Sequence, residues 1–142
     1  MRQFVQYVRG QVVTCTTAAD KLLCGYYVAS RRVRSSSVQG TDFPVTAMKT
    51  LTSLSKAHAK LSLRREVTPE DAVMAILLYE EYITDRCGCS VLNVQPLRHC
   101  RNQDIGTYIG PQNDSQMKHF HTQLLRFCAA HAGDIEMGST EE

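Results

Sequence analysis

The sequence predicts an all-α protein: a compact bundle of about four helices, then an irregular extension and one further helix. Apolar residues recur at spacings of three and four in several segments. Thr, Pro and Gly also stand where helices begin and end. A chain of 142 residues, 43% of them hydrophobic, is long enough for one domain with a core. We place the helical domain at residues 1–86 and the extension, with an acidic tail, at 87–142.

The first two helices are separated by a glycine. The first helix ends at Gly10, a residue type that commonly follows helices. The second begins at Thr16 or Thr17, with Asp20 as the partner of Thr17 in a variant of the capping box. It runs to about residue 34. The small and polar segment 35–42 then favours an irregular connection.

The third and fourth helices have clear start signals. Pro44 fits the first turn of the third helix, because proline has no amide hydrogen to leave unpaired there, and the helix should reach about Leu63. Thr68 as cap and Pro69 as first residue form the clearest helix start in the chain. The fourth helix should run to about Thr84. Apolar residues around much of its circumference predict a central position.

The sequence becomes less regular after the fourth helix. The run 90–94 has β character, but a lone strand has no stability without a pairing partner. An irregular segment extends to about Asn113. A last amphipathic helix is predicted from Asp114 to about His131, either docked on the bundle or mobile.

Composition excludes several classes of protein. No apolar run approaches the roughly 18 residues of a membrane helix, and no secretory signal is visible, so we expect a location inside the cell and no membrane contact. The six cysteines are scattered and are expected to be thiols. Residues 1–66 carry 11 Lys/Arg against 3 Asp/Glu, whereas residues 67–142 carry 5 against 11. Only the first half therefore favours an anionic partner.

Several stretches resemble one known family. The segment 54–64, LSKAHAKLSLR, with Val67 and Asp71 after it, is similar to the signature L-x-E-A-H-A-[KR] and V-x-x-x-D in the lid of minichromosome maintenance (MCM) AAA+ proteins. The segments 6–9 and 26–31, QYVR and YYVASR, resemble two upstream motifs of that lid. The resemblance extends over roughly the first 84 residues. It implies the helical lid fold, and a segment of a longer protein.

The resemblance also identifies a departure from the family. The family's lid helix begins with T-x-R-x-L-E, whose arginine, called sensor 2, reaches the ATP phosphates at a subunit interface. Counted back without gaps from Ala57-His58-Ala59, this position is Thr46, and Lys49 replaces the glutamate. Threonine supplies neither the charge nor the paired donors of arginine. We therefore assign no nucleotide-binding residue, and Thr46 only marks the degenerate sensor 2 position.

The implied role is that of an interaction module. The missing arginine and the stretch 72–80 resemble a divergent MCM-like protein of meiotic recombination and DNA double-strand break repair. The implied partners are the parent's AAA+ core and other MCM-like subunits, in the nucleus, with DNA reached through the complex. The chain has no G-x-x-x-x-G-K-[ST] loop and no catalytic residue, so alone it is not an enzyme and needs no cofactor. ATP and Mg²⁺ would belong to the parent. The alternative is the lid of an active MCM DNA helicase.

One histidine and one group of basic residues are considered on chemical grounds. His58 is expected to be a packed helix residue with a structural role. Basic residues could contact DNA or a partner, although solvated helix faces explain them equally well. These are Arg31, Arg32, Lys56, Lys60 and Arg64.

A zinc-dependent binding module is the remaining alternative. Its ligands would come from Cys87, Cys89, Cys100, His119 and His121. Structural zinc sites usually place ligands two to four residues apart in tight knuckles, whereas these pairs are C-x-C and H-x-H at irregular intervals. The spacing therefore favours free thiols over a metal site.

Overall fold

The computed structural model of the chain describes residues 1–36, 43–95 and 110–131. In these ranges it contains five helices and two strands of two residues each, so the predicted all-α fold is confirmed. The elements are α1 (Arg2–Arg9), β1 (Thr14–Cys15), α2 (Thr17–Ser36), α3 (Ala47–Leu61), β2 (Glu66–Val67), α4 (Pro69–Cys87) and α5 (Pro111–His131). None of the helices in the described ranges has the length and apolar character of a membrane span.

The start of α2 is capped by Thr16. The Thr16 hydroxyl accepts a hydrogen bond from the Ala19 amide at 3.3 Å and donates one to the Val67 carbonyl at 2.7 Å. The capping box that we predicted for Thr17 and Asp20 is therefore wrong: Thr17 is already helical, and Thr16 provides a single hydroxyl cap. The same hydroxyl caps α2 and ties its start to β2.

The third helix is shorter than predicted. It begins at Ala47, whose amide donates to the Pro44 carbonyl at 2.9 Å, so Pro44 lies in the turn before the helix and not in its first turn. It ends at Leu61, and Leu63 has the left-handed φ of 56°, which a continuing helix could not contain. The predicted bounds of Pro44 and Leu63 are thus both outside α3.

The fourth helix confirms its predicted start and exceeds its predicted end. Thr68 and Asp71 form a capping box, with Pro69 in the first turn. The helix continues beyond Thr84 and ends at Cys87. Gly88 follows it in the left-handed conformation at φ 71° and donates its amide to the Thr84 carbonyl at 2.8 Å. Glycine stops the helix because it adopts this conformation without steric cost.

A short parallel pairing joins the two halves of the bundle. Thr14 is paired with Glu66, and Cys15 with Val67. Two residues per strand leave no alternation in the sequence, so the pairing could not be predicted. The run 90–94 is a turn and not a strand, and Ser90 accepts hydrogen bonds from the amides of Leu92 and Val94 at 3.1 and 3.0 Å.

The core lies between α2, α3 and α4, and α5 extends it. Leu23, Leu51 and Ile76 are fully buried, one on each of these helices. Phe120 and Leu124 of α5 belong to the same cluster. Helix α5 is therefore docked, mainly against α2, and begins three residues before the predicted Asp114. The domain boundary between residues 86 and 87 stays a prediction.

Glu80 is a fully buried carboxylate that links three segments. Its Oε1 accepts hydrogen bonds from the Tyr26 hydroxyl at 2.5 Å and from Arg34 Nη2 at 3.3 Å, and its Oε2 accepts one from the Ser90 hydroxyl at 2.6 Å. Burial and then the Glu80 charge raise the pKa of Tyr26 well above its ordinary value, so the phenol keeps its proton as a donor. The network joins α2, α4 and the turn at residues 90–94.

We predict that Glu80→Ala destabilises the chain by about 3–5 kcal/mol, because it removes one partner of a buried ion pair and leaves the Tyr26 and Ser90 hydroxyls without their acceptor. The free energy of unfolding measured in urea tests this. Asp85→Ala, an exposed acid on the same helix, is the control and should change it by less than about 0.5 kcal/mol. Equal effects of the two substitutions would contradict the structural role of Glu80.

Candidate functional site

A buried aspartate holds the junction between α3 and α4. Asp71 Oδ1 lies 2.6 Å from His58 Nδ1 and 2.5 Å from Arg64 Nη2. Its Oδ2 accepts the Thr68 amide at 2.8 Å and the Thr68 hydroxyl at 3.1 Å. Arg64 Nη1 also donates to the Thr68 hydroxyl at 2.8 Å. We call these four residues the Asp71 clamp.

The electrostatics of the clamp favour the charged carboxylate. Burial by itself would raise the pKa of Asp71, but the hydrogen bonds from His58 and Thr68 and the charge of Arg64 outweigh it, so the pKa lies below its ordinary value. His58 and Arg64 remain partly exposed, each at 37% of the side chain. The clamp thus links the end of α3 to the start of α4 through a charged carboxylate.

The clamp explains two parts of the sequence signature in physical terms. His58 lies in the A-H-A stretch and Asp71 closes the V-x-x-x-D stretch, 13 residues apart. The expectation that His58 has a structural role agrees with this contact, although helical spacing gave no indication of its partner. The presence of both motifs in one sequence was the signal that could have identified Asp71 as the partner of His58.

An apolar surface on α1 is the second feature of the site. Of the eight residues of α1 only Val8 is buried. Phe4, Val5 and Tyr7 are exposed, Tyr7 at 63%, and Val12 after the helix is exposed at 82%. We call these four residues the α1 apolar face. Exposed apolar side chains this close together in the sequence are typical of a surface that a partner covers.

The end of α3 lies against α1. Lys60 Nζ donates to the Arg9 carbonyl at 3.2 Å and so caps the last turn of α1. Leu61 and Leu63 follow it and are also largely exposed. The apolar character of this side of the molecule thus continues from α1 to the end of α3.

The predicted basic residues lie in separate surroundings. Arg31 donates to the Tyr27 hydroxyl at 3.3 Å and Arg32 to the His131 carbonyl at 3.1 Å, both on α2. Lys56 and Lys60 lie on α3, and Arg64 is part of the Asp71 clamp. The structure does not gather these residues on one helix face. DNA contact by them stays a prediction.

The candidate zinc ligands are not assembled in the described ranges. Cys87 and Cys89 are exposed at the end of α4, and His119 and His121 lie on α5, where His119 is exposed and His121 is half-buried. Cys100 lies outside the described residues. No three potential metal ligands come together within residues 1–36, 43–95 and 110–131.

Thr46 lies directly before α3. Its side chain is exposed, and its carbonyl accepts the Thr50 amide at 3.1 Å and the Thr50 hydroxyl at 3.3 Å. Thr46 thus presents a short hydroxyl at the positive end of a helix, and its assignment to the degenerate sensor 2 position stays a prediction.

Comparison with known proteins gives a consistent picture. The family model of the MCM AAA-lid domain matches residues 1–83. The mouse minichromosome maintenance domain-containing protein 2 is 47% identical over 87% of this chain and 18% of its own length, and the human protein is 31% identical over 99% and 21%. The probable DNA helicase MCM9 of Arabidopsis thaliana is 32% identical over 59% and 13%. No solved structure matches the chain.

The chain spans about a fifth of the length of the mouse and human relatives. The matched domain is the lid of a larger protein, and a lid domain is not itself catalytic. The described helices α1 to α4 coincide with the matched residues, which end within α4.

The lowered pKa of Asp71 gives a prediction for pH. A depressed pKa contributes stability above the unfolded value, about 3.9, and this contribution is lost as the pH falls through the lower pKa of the folded state. Asp71→Asn should lack this loss below about pH 4 and should be less stable at pH 7 by about 1–3 kcal/mol.

Urea unfolding at a series of pH values measures the difference between the two chains. The control is Glu66→Gln, an exposed acid on β2, which should follow the unsubstituted chain. A parallel fall in stability for the unsubstituted chain and Asp71→Asn would show that the carboxylate is not held as described.

Proposed function

The chain belongs to the MCM family, as its AAA-lid domain, and from that premise we propose a lid and subunit-contact module of a divergent MCM-like protein of meiotic recombination and DNA double-strand break repair. Support for this biological role comes from the identity to minichromosome maintenance domain-containing protein 2 over most of the chain. The proposed location is the nucleus, where that DNA would be found.

The α1 apolar face is the observation that carries the proposal. Phe4, Tyr7 and Val12 present apolar surface that the described residues of the chain do not cover. Burial of such surface contributes about 25 cal/mol per Å², so a partner that covers it gains affinity. We propose that the AAA+ core of the parent protein is this partner, with other MCM-like subunits beside it and DNA reached through the assembly.

The Asp71 clamp gives the lid its rigidity for this task. It fixes the turn between α3 and α4, and Lys60 of α3 holds the end of α1. The α1 apolar face is thus presented on a packed frame and not on an isolated helix. A preorganised surface loses less conformational entropy on binding.

Thr46 supports a lid without a role in hydrolysis. Its exposed hydroxyl has neither the reach nor the delocalised charge to stabilise a transferring phosphoryl group. A second candidate function, the lid of an active DNA helicase, is favoured by the similarity to proteins described as probable DNA helicases MCM8 and MCM9. ATP and Mg²⁺ would in either case belong to the core.

We expect this chain to co-purify with a version of the mouse relative that lacks its own matched segment. Tyr7→Glu should weaken the association by about tenfold or more, because it places a charge in the apolar contact. The control Leu125→Glu alters an exposed leucine on α5 and should leave the association unchanged. Association that survives Tyr7→Glu would refute docking through the α1 apolar face.

The nucleotide role is tested in the same co-purified pair. If the lid belongs to a degenerate ATPase, Thr46→Arg will neither create nor strengthen ATP hydrolysis, because a single guanidinium does not restore an inactive core. Phosphate release by the pair is the measurement. Hydrolysis by the unsubstituted pair at a helicase-like rate would show that the motor function is correct and the argument from Thr46 wrong.

A further inference from the structure

Four aromatic rings form a continuous row between α2 and α4. Tyr27 of α2 lies 5.6 Å from Phe43, measured between ring centroids, and Phe43 lies 5.7 Å from Tyr79 of α4. Tyr79 lies 6.2 Å from Tyr82. Phe43 comes from the segment before α3 and inserts between the two helices. The rings lie in the range of mutual aromatic contact.

Arginines accompany three of the four rings. The guanidinium of Arg31 lies 5.7 Å from the centroid of Tyr27, and that of Arg34 lies 5.8 Å from Phe43. Arg86 lies 5.7 Å from Tyr82 and donates to its hydroxyl at 2.8 Å. We call the four rings and three arginines the aromatic–arginine row.

An open cleft of about 310 Å³ lies over one end of this row. Its floor is apolar, with Phe43, Tyr79 and Ile83 almost fully buried. Its rim carries Tyr82, exposed at 53%, and Arg86, which is also exposed. The cleft thus combines a flat aromatic wall that faces water with a cation beside it.

We propose that this cleft binds a base of a single-stranded nucleic acid by stacking on Tyr82, with Arg86 contacting the adjacent phosphate. Base stacking on aromatic side chains and guanidinium groups is the common mode of single-strand recognition, since every base has a π-face. The apolar floor suits a heterocycle. Arg34 also lines the cleft, but it is buried and paired with Glu80, whereas Arg86 is exposed.

The charge around the row favours a nucleic acid over a peptide. Arg31 and Arg32 are exposed on α2, near the Tyr27 end of the row, and Arg86 lies at its other end. Of the residues that line the cleft itself, Arg34 and Arg86 are cations and none is a carboxylate. Strand contacts of this kind are weakened by salt, because bound counterions are released on binding.

The row changes what the basic residues imply. Along the sequence, the basic residues considered for DNA contact are not interleaved with aromatic residues. In the folded chain, Phe43 lies between Tyr27 and Tyr79, and three of the four rings have an arginine beside them. The inference does not depend on docking of the α1 apolar face, which lies on other elements, so either can fail without the other.

The test uses the full chain and three fluorescein-labelled ligands: an oligothymidylate, an abasic strand of the same length and a duplex. Fluorescence anisotropy should show that the oligothymidylate binds more tightly than both of the others. Tyr82→Ala should weaken oligothymidylate binding about 5- to 100-fold and abolish the preference over the abasic strand. Tyr82→Phe should retain that preference, because the ring remains.

Matched variants separate stacking from general charge. Arg86→Lys keeps the charge but loses the planar group, and should weaken binding less than Arg86→Ala. Leu125→Ala removes an exposed apolar side chain on α5, outside the cleft and the α1 apolar face, and should leave binding unchanged. Circular dichroism and urea unfolding compare each variant, Tyr82→Ala included, with the unsubstituted chain, so that a loss of folding is recognised.

Three outcomes would overturn the proposal. Equal affinity for the abasic strand and the oligothymidylate would show that phosphate contacts alone explain binding. An equal effect of Leu125→Ala and Tyr82→Ala would place the site elsewhere. Failure of every nucleic acid to bind, together with Tyr82-dependent binding of a labelled acidic peptide that contains tyrosine, would assign the cleft to a protein partner.

Discussion

Helix α4 carries two fully buried carboxylates, and much of the fold is arranged to supply them with donors. A buried charge is tolerated only where hydrogen bonds and opposite charges replace the lost water. Asp71 receives donors from α3 and from the turn before α4, and Glu80 receives them from α2 and from the turn after α4. Each carboxylate therefore fixes one end of the central helix against its neighbours.

This arrangement separates rigidity from recognition. The clamp at Asp71 and the network at Glu80 are internal, whereas the apolar residues of α1 and the cleft beside Tyr82 face outward. The two outer surfaces lie on different elements, α1 with the end of α3 on one side and α2 with α4 on the other. A lid built in this way can be held by one partner and still present a second surface.

The parts of the structure that sequence predicted are the local ones. The start of α4 followed from Thr68 and Pro69, because a capping hydroxyl and a proline act on their own turn. The start of α3 did not follow from Pro44, since proline fits a turn before a helix as well as its first turn. The parallel pair at Thr14 and Glu66 joins residues far apart in the chain and leaves no local pattern.

The sequence by itself determined the helical class and the family through its lid signature, because both reside in contiguous residues. Tertiary structure alone decided that Arg64 serves Asp71, that α5 docks on α2, and that Phe43 completes an aromatic row. These contacts depend on the packing of helices that are distant along the chain. Spacing within a segment carries no information about which face of another helix it will meet.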